Sequence, residues 1–294
     1  MYPGFRGLDW ITPYGVMLTF ACVVAWWLAR RRAGATGLGA SHADLALPLA
    51  FIAGSFFAGA LGWFLSSERL LAGEAYLAGH RLRFYAVVAI VLPLLFAYCR
   101  LARLPFRRFA DAIAIPSLAF MAVIRVGCFL AGCCFGDISG HTSEVARIGD
   151  AAVRLQVQTV GWLSRWEAPW AVRFPAGSFA QEQHVALGLI EPGAASSLPV
   201  HPVQLYETAL VALLCLVLTR LRPAFTRAGT EALAAFGSYA ALAFLLEFLR
   251  ADNALVAGPL TLNQLICLGW IAVAALLRGT TMAATHPALQ APRR

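Results

Sequence analysis

The feature that most constrains this chain is a series of seven long apolar runs, each flanked by charge. They lie at about Ile11–Ala29, Leu45–Leu65, Phe84–Cys99, Phe109–Ala131, His201–Thr219, Glu231–Leu249 and Gly258–Leu277. Most match the roughly 20 apolar residues that a helix needs to cross a bilayer. The third is shorter and contains Pro93, but Arg83 and Arg100 flank it and can snorkel to the interfaces. Composition agrees with the pattern. Of 294 residues, 60% are hydrophobic and 13% charged, about half the charge expected of a soluble domain. The fold expected is therefore an all-α integral membrane protein of seven transmembrane helices. Met1–Trp10 lacks a basic stretch leading to a small-residue cleavage site, so the first run is expected to stay as a span.

The net charge is +8, and every basic residue is Arg. These arginines punctuate apolar runs. They form no basic stripe with groove-reading or stacking elements, which argues against nucleic acid as a partner. Their distribution sets orientation instead. Thirteen of the 23 fall in four connections on one side: Arg30–Arg32, Arg100 to Arg108, Arg220 to Arg227, and Arg278 to Arg294. The positive-inside rule makes that side cytoplasmic, with the N-terminus outside and the C-terminus inside. The chain then divides into residues 1–131 with the first four spans, 132–199 as a small periplasmic head, 200–280 with the last three spans, and 281–294 as a cytoplasmic tail. Trp162, Trp166 and Trp170 of the head are expected either at headgroup level or within a small head core.

Charge inside a span costs several kcal/mol and calls for a reason. Arg125, Glu207 and Glu247 qualify. At 1.5 Å per residue, Arg125 lies about 24 Å above Phe109, and Glu207 about 9 Å below His201. With Glu247 near the outer end of its span, all three fall in the outer half of the bilayer. Tyr14, Arg81, Arg83 and Tyr85 flank spans on that side. Helical spacing also puts Tyr239, Ala243, Glu247 and Arg250 on one face. The expectation is one polar pocket open to the outer leaflet. The bland alternative is polar side chains that hold helices together.

Of seven cysteines, Cys22, Cys99, Cys215 and Cys267 lie in apolar runs and are expected to pack as small hydrophobes. Cys128, Cys133 and Cys134 cluster at the outer end of the fourth span. Simple packing, a disulfide and a reactive thiol are all open readings. Zinc is a poor fit, because only His141 stands near as a fourth ligand. No metal or organic cofactor is expected. His201 is read as a possible cap on the fifth run, ahead of Pro202.

Several motifs carry a resemblance. Arg125-Val126-Gly127-Cys128-Phe129-Leu130-Ala131-Gly132-Cys133-Cys134-Phe135-Gly136, His201-Pro202-Val203-Gln204-Leu205-Tyr206-Glu207, Glu247-Phe248-Leu249-Arg250 with Gln264, and Tyr14-Gly15 together resemble the prolipoprotein diacylglyceryl transferase family. The resemblance implies a multi-pass protein of the bacterial inner membrane. It implies transfer of a diacylglyceryl group from phosphatidylglycerol to the lipobox cysteine of preprolipoproteins, with membrane lipid and a signal peptide as partners. It further implies catalytic roles for Arg125, Tyr85, Glu247 and Arg250, with Arg125 on the lipid headgroup. Substrate contacts are implied for Tyr14, Arg83, Gly136, His201, Gln204, Tyr206, Glu207, Tyr239 and Gln264.

The chain departs from the family pattern at three places. Tyr85-Ala86-Val87 stands where a His-Gly-Gly element is usual, Ala243 where an Arg is usual, and Cys128 where the signature has Asn. These departures motivate a second reading, a non-catalytic lipid- or lipoprotein-binding paralogue. The topology makes a direct prediction. Reporters fused after residue 294 should show cytoplasmic activity, and reporters inserted within 137–199 periplasmic activity; the opposite pattern overturns the orientation.

Overall fold

A computed structural model describes residues 12–67, 90–139, 168–250, 255–257 and 260–283. Arg81, Arg83, Tyr85, His141, Trp162, Trp166 and the tail beyond residue 283 lie outside the described residues.

The structure is helical: α1 (Pro13–Ala35), α2 (Ala40–Ser67), α3 (Ile90–Leu101), α4 (Phe106–Ala131), α5 (Phe179–Ala186), α6 (Val203–Leu221), α7 (Thr230–Leu246) and α8 (Leu262–Ala283). Where they are described, the apolar runs fall largely on helices, the seventh entering α8 through a short strand. Among the described residues, five helices are long and apolar enough to cross a membrane, and two apolar helices, Ile90–Leu101 and Leu262–Arg278, are shorter. Large apolar side chains such as Phe56 (70% exposed) and Leu276 (71%) face outward, which fits lipid and not water as the surrounding medium. Among the described residues the one sheet is a minimal antiparallel pair, Leu255–Ala257 with Leu260–Thr261, leading into α8.

Helix α4 is the central element, packed against α1, α6 and α7. Its buried Ala114, Ile115, Leu118 and Ala122 meet Val211 and Leu218 of α6 and Ala232 and Ala235 of α7. A second cluster joins Ala29 and Ala33 of α1 to Ala43, Ala46 and Ala50 of α2 and to Phe109 and Ala112 of α4. Alanine dominates these seams because small side chains let helices approach closely where lipid supplies no hydrophobic drive.

At the arginine-rich end, a buried polar knot ties α1, α4 and α7. Arg32 donates from Nε to the Ala112 carbonyl at 3.2 Å, donates to the Asp111 carbonyl at 3.2 Å, and pairs with Glu231. The Asp111 carboxylate accepts from the Gly229 and Ala232 amides at 2.6 and 2.9 Å. Asp111 thus caps the start of α7 from another helix and satisfies donors that the helix itself leaves orphaned.

The opposite end is built around residues 136–139. Gly136 N–H donates to the His201 carbonyl at 2.9 Å, and His201 N–H returns a bond to Asp137 at 3.0 Å. On the other flank, Asp137 N–H donates to the Leu249 carbonyl at 2.8 Å. Phe135, Ile138, Phe174, Ala180 and Val200 form a small core over this crossing. Within that core, burial pushes the His184 imidazole down to about 4, and its neutral Nδ1 accepts from Leu198 N–H at 3.1 Å. Trp170 is 51% exposed and so does not pack a core.

Two expectations need correction here. Arg250 does not continue the α7 face. The α-helix ends at Leu246, Glu247–Leu249 form a 3-10 turn, and Arg250 is extended and bridged to Gly136. The reason is that residues 136–137 capture the backbone of 249–250. His201 does not cap α6 either; Pro202 holds the N-cap position, with no side-chain cap bond.

Gly136 is where the three segments meet. A Cβ there would lie 2.5 Å from the His201 carbonyl oxygen and 2.6 Å from Val203 Cγ2. Gly136→Ala should therefore destabilise the protein by about 1–3 kcal/mol through overpacking. Gly193→Ala, where a Cβ would meet nothing within 4 Å, should leave the melting temperature unchanged. Thermal unfolding of the two purified variants checks this, and equal melting temperatures would remove the steric account of Gly136.

Candidate functional site

The site forms where α1, α4, α6 and α7 converge beneath the 136–139 crossing. Arg125 of α4 and Glu207 of α6 make its centre. Arg125 Nε lies 2.8 Å from Glu207 Oε2, although the N–H is not aligned for a hydrogen bond and counts as unsatisfied. Tyr239 of α7 donates its hydroxyl to the other carboxylate oxygen, Oε1, at 2.9 Å. Glu207 is buried, while the Arg125 side chain keeps 17% of its surface. The carboxylate is thus divided between a cation and a phenol, and the guanidinium keeps donor capacity for an anion.

Glu247 forms a second centre beside it. Its two oxygens accept from Thr261 Oγ1 at 2.8 Å and Asn263 Nδ2 at 2.7 Å, and Arg250 Nε lies 3.8 Å away. Gln264 accepts from Thr261 N–H at 3.0 Å and donates to the Phe244 carbonyl at 3.3 Å. Its amide fastens the start of α8 to α7. Sequence reasoning missed Thr261 and Asn263; the signal was two short polar residues near the start of the last apolar run.

Gln204 is buried and donates to the Cys133 carbonyl at 2.8 Å, while its Oε1 has no partner among the described residues. Tyr206 accepts from Trp170 Nε1 at 2.7 Å and lies 3.3 Å from His201 Nδ1. Tyr14 packs over Gly127, where a Cβ would stand 3.4 Å from its ring. The residues brought together are therefore Tyr14, Arg125, Gln204, Glu207, Tyr239, Glu247 and Arg250. His201 and Gly136 act there through backbone, at the crossing. Arg83 and Tyr85 fall outside the described residues.

The cysteines add a group that spacing alone left open. Cys128, Cys133 and Cys134 place their sulfurs within 4.8 Å of one another, all as free thiols. The neighbouring Cys128 and Cys133 thiols, with Arg250 and Arg125 behind them, hold the Cys134 thiol below its ordinary range against the effect of burial, while the Cys133 thiol donates to the Cys128 carbonyl at 3.6 Å.

The Arg125–Glu207 pair, answered by Tyr239, lies on the α4 and α6 motifs. The family model for prolipoprotein diacylglyceryl transferase matches residues 7–279. The chain belongs to that family. A curated relative from Geobacter sulfurreducens, named phosphatidylglycerol–prolipoprotein diacylglyceryl transferase, is 24% identical over 269 residues, covering 86% of this chain and 84% of the relative. The elements that carry the family motifs, α4, the entry to α6 and the end of α7, are the ones that converge at Arg125.

The central ion pair makes a stability prediction. Arg125→Ala strands the Glu207 carboxylate and should cost about 3–5 kcal/mol. Adding Glu207→Gln should restore part of that loss, whereas adding Glu247→Gln should not. The melting temperatures of the single and double variants check the pairing. Rescue by Glu247→Gln instead would reassign the partner.

Proposed function

We propose that this chain transfers a diacylglyceryl group from phosphatidylglycerol to the lipobox cysteine thiol of preprolipoproteins. The observation that supports it best is the part-exposed guanidinium of Arg125, held by Glu207 and set among the family's motif residues. In this reading all seven apolar helices span the inner membrane, the N-terminus and the 132–199 head are periplasmic, and the C-terminus is cytoplasmic. Phosphatidylglycerol enters from the outer leaflet, and the signal peptide presents its cysteine beside it.

The chemistry follows from the groups present. Arg125 offers a planar fork of donors matched to phosphate oxygens. The acceptor thiol must lose its proton, because the thiolate is the nucleophile. Arg125 and Arg250 supply the positive field that favours this. Sulfur then bonds to the glyceryl carbon, the carbon–oxygen bond to phosphate breaks, and glycerol phosphate leaves as an anion. Arg125 stabilises the charge that gathers on that leaving group. Glu207 and Glu247 are each engaged by donors and serve in this reading to orient Arg125 and Arg250. Tyr14, Tyr206 and Gln204 line the route to them.

The test is complementation in cells depleted of their own transferase, read as the lipidation mass shift of a reporter lipoprotein. The wild-type chain should restore lipidation. Arg125→Lys keeps the charge but loses the fork, and should cut transfer roughly tenfold or more at normal abundance. A chain that binds phosphatidylglycerol vesicles yet restores no lipidation would establish the non-catalytic paralogue instead.

A further inference from the structure

Three thiols converge after α4 because the helix ends in a particular way. Gly132 takes the left-handed conformation at φ +67, its N–H bonds to the Phe129 carbonyl, and the Cys133 N–H reaches back to the Cys128 carbonyl, each at 3.1 Å. This is a Schellman closure, which sets the first and last side chains of its six residues against each other. Those side chains are Cys128 and Cys133. Cys134 then adopts φ +58, a left-handed conformation that costs a non-glycine residue roughly 1–2 kcal/mol. Such strain persists only where the surroundings over-determine it. Here the Gln204 amide holds the Cys133 carbonyl on one side. On the other, Gly136 is locked against His201, with no room for a side chain.

The product is three sulfurs within 4.8 Å of one another, with Cys128 buried and the other two half-buried. The Schellman closure accounts for Cys128 against Cys133 but not for the third sulfur, which the left-handed backbone of Cys134 brings to the same point. One metal ion can use all three. Three thiolates at about 2.3 Å around one ion in a plane stand about 4 Å apart. Among the described residues no fourth His, Cys or carboxylate joins the group. Soft thiolate donors suit Cu(I).

We propose that Cys128, Cys133 and Cys134 form a three-thiolate site for one soft metal ion, with Cu(I) favoured by the all-sulfur donor set. Loading forms three metal–sulfur bonds and releases the protons the thiols carry; nothing is oxidised or reduced. Arg125 and Arg250 flank the site and offset the negative charge of the loaded cluster. The inference stands independently of the transferase reading.

The test uses the full chain in lipid nanodiscs, with thiols reduced and air excluded, titrated with Cu(I) against the competing chelator bicinchoninate. One equivalent should be retained, and X-ray absorption should show a shell of sulfur alone. Cys128→Ser, Cys133→Ser and Cys134→Ser should each weaken retention at least about tenfold. A chain with Cys22, Cys99, Cys215 and Cys267 all replaced by Ala should retain it. Alkylation of the unmutated chain, read by mass spectrometry, needs no variant to fold: Cu(I) should protect the three clustered cysteines and leave Cys22 labelled as before. Equal labelling with and without Cu(I) would overturn the site. So would retention that survives all three Ser substitutions, or a preference for zinc in a mixed sulfur and oxygen shell.

Discussion

A guanidinium in an apolar bundle is tolerable only if something answers its charge, and the placement of Arg125 against Glu207 is the constraint around which this end of the molecule is organised. The carboxylate takes Arg125 on one oxygen and the Tyr239 hydroxyl on the other. One side chain therefore sets the relative height of α4, α6 and α7. Pairing in a low-dielectric setting yields little net stability, because desolvation offsets most of the attraction. Its consequence is register: a shift of one turn in any of the three helices would strand a charge.

The opposite end repeats the device with different chemistry. Asp111 caps α7 across the helix interface, and Arg32 spans the Asp111 and Ala112 carbonyls while pairing with Glu231. Between these two polar levels lie seams of alanine and branched aliphatics, which allow close approach but specify height poorly. The polar knots thus select one among several sterically acceptable packings. Above the upper knot, the crossing at Gly136 fastens the segment after α4 to the entry of α6 and the exit of α7. The three motif-bearing segments, distant in the chain, thereby form one surface around Arg125.

Much of this was readable before any coordinates. The helices sit where apolar length and flanking arginine put them, because hydropathy over about 20 residues depends only on local composition. Arg125, Glu207 and Glu247 stood out because charge in such a run is costly wherever it occurs. Which glutamate meets Arg125 was not readable, since both lay at similar depth on different helices. Arg250 was misplaced by helical periodicity, because capture of residues 249–250 by residues 136–137 is a long-range event. Asp111 drew no attention in the sequence; its capping role needs the Gly229 and Ala232 amides, which come from another helix.

The sequence by itself determined the medium, the helical class and the residues too costly to bury without purpose, because these follow from transfer free energies that each segment carries alone. Tertiary structure decided the partners. It chose Glu207 for Arg125, and Thr261 and Asn263 for Glu247. It also turned three cysteines, spaced in the chain like any packing residues, into sulfurs within 4.8 Å of one another. Ion pairs and thiol clusters act over a few ångströms, and distances on that scale are set by how helices dock and how one helix ends at Gly132, not by the order of residues along the chain.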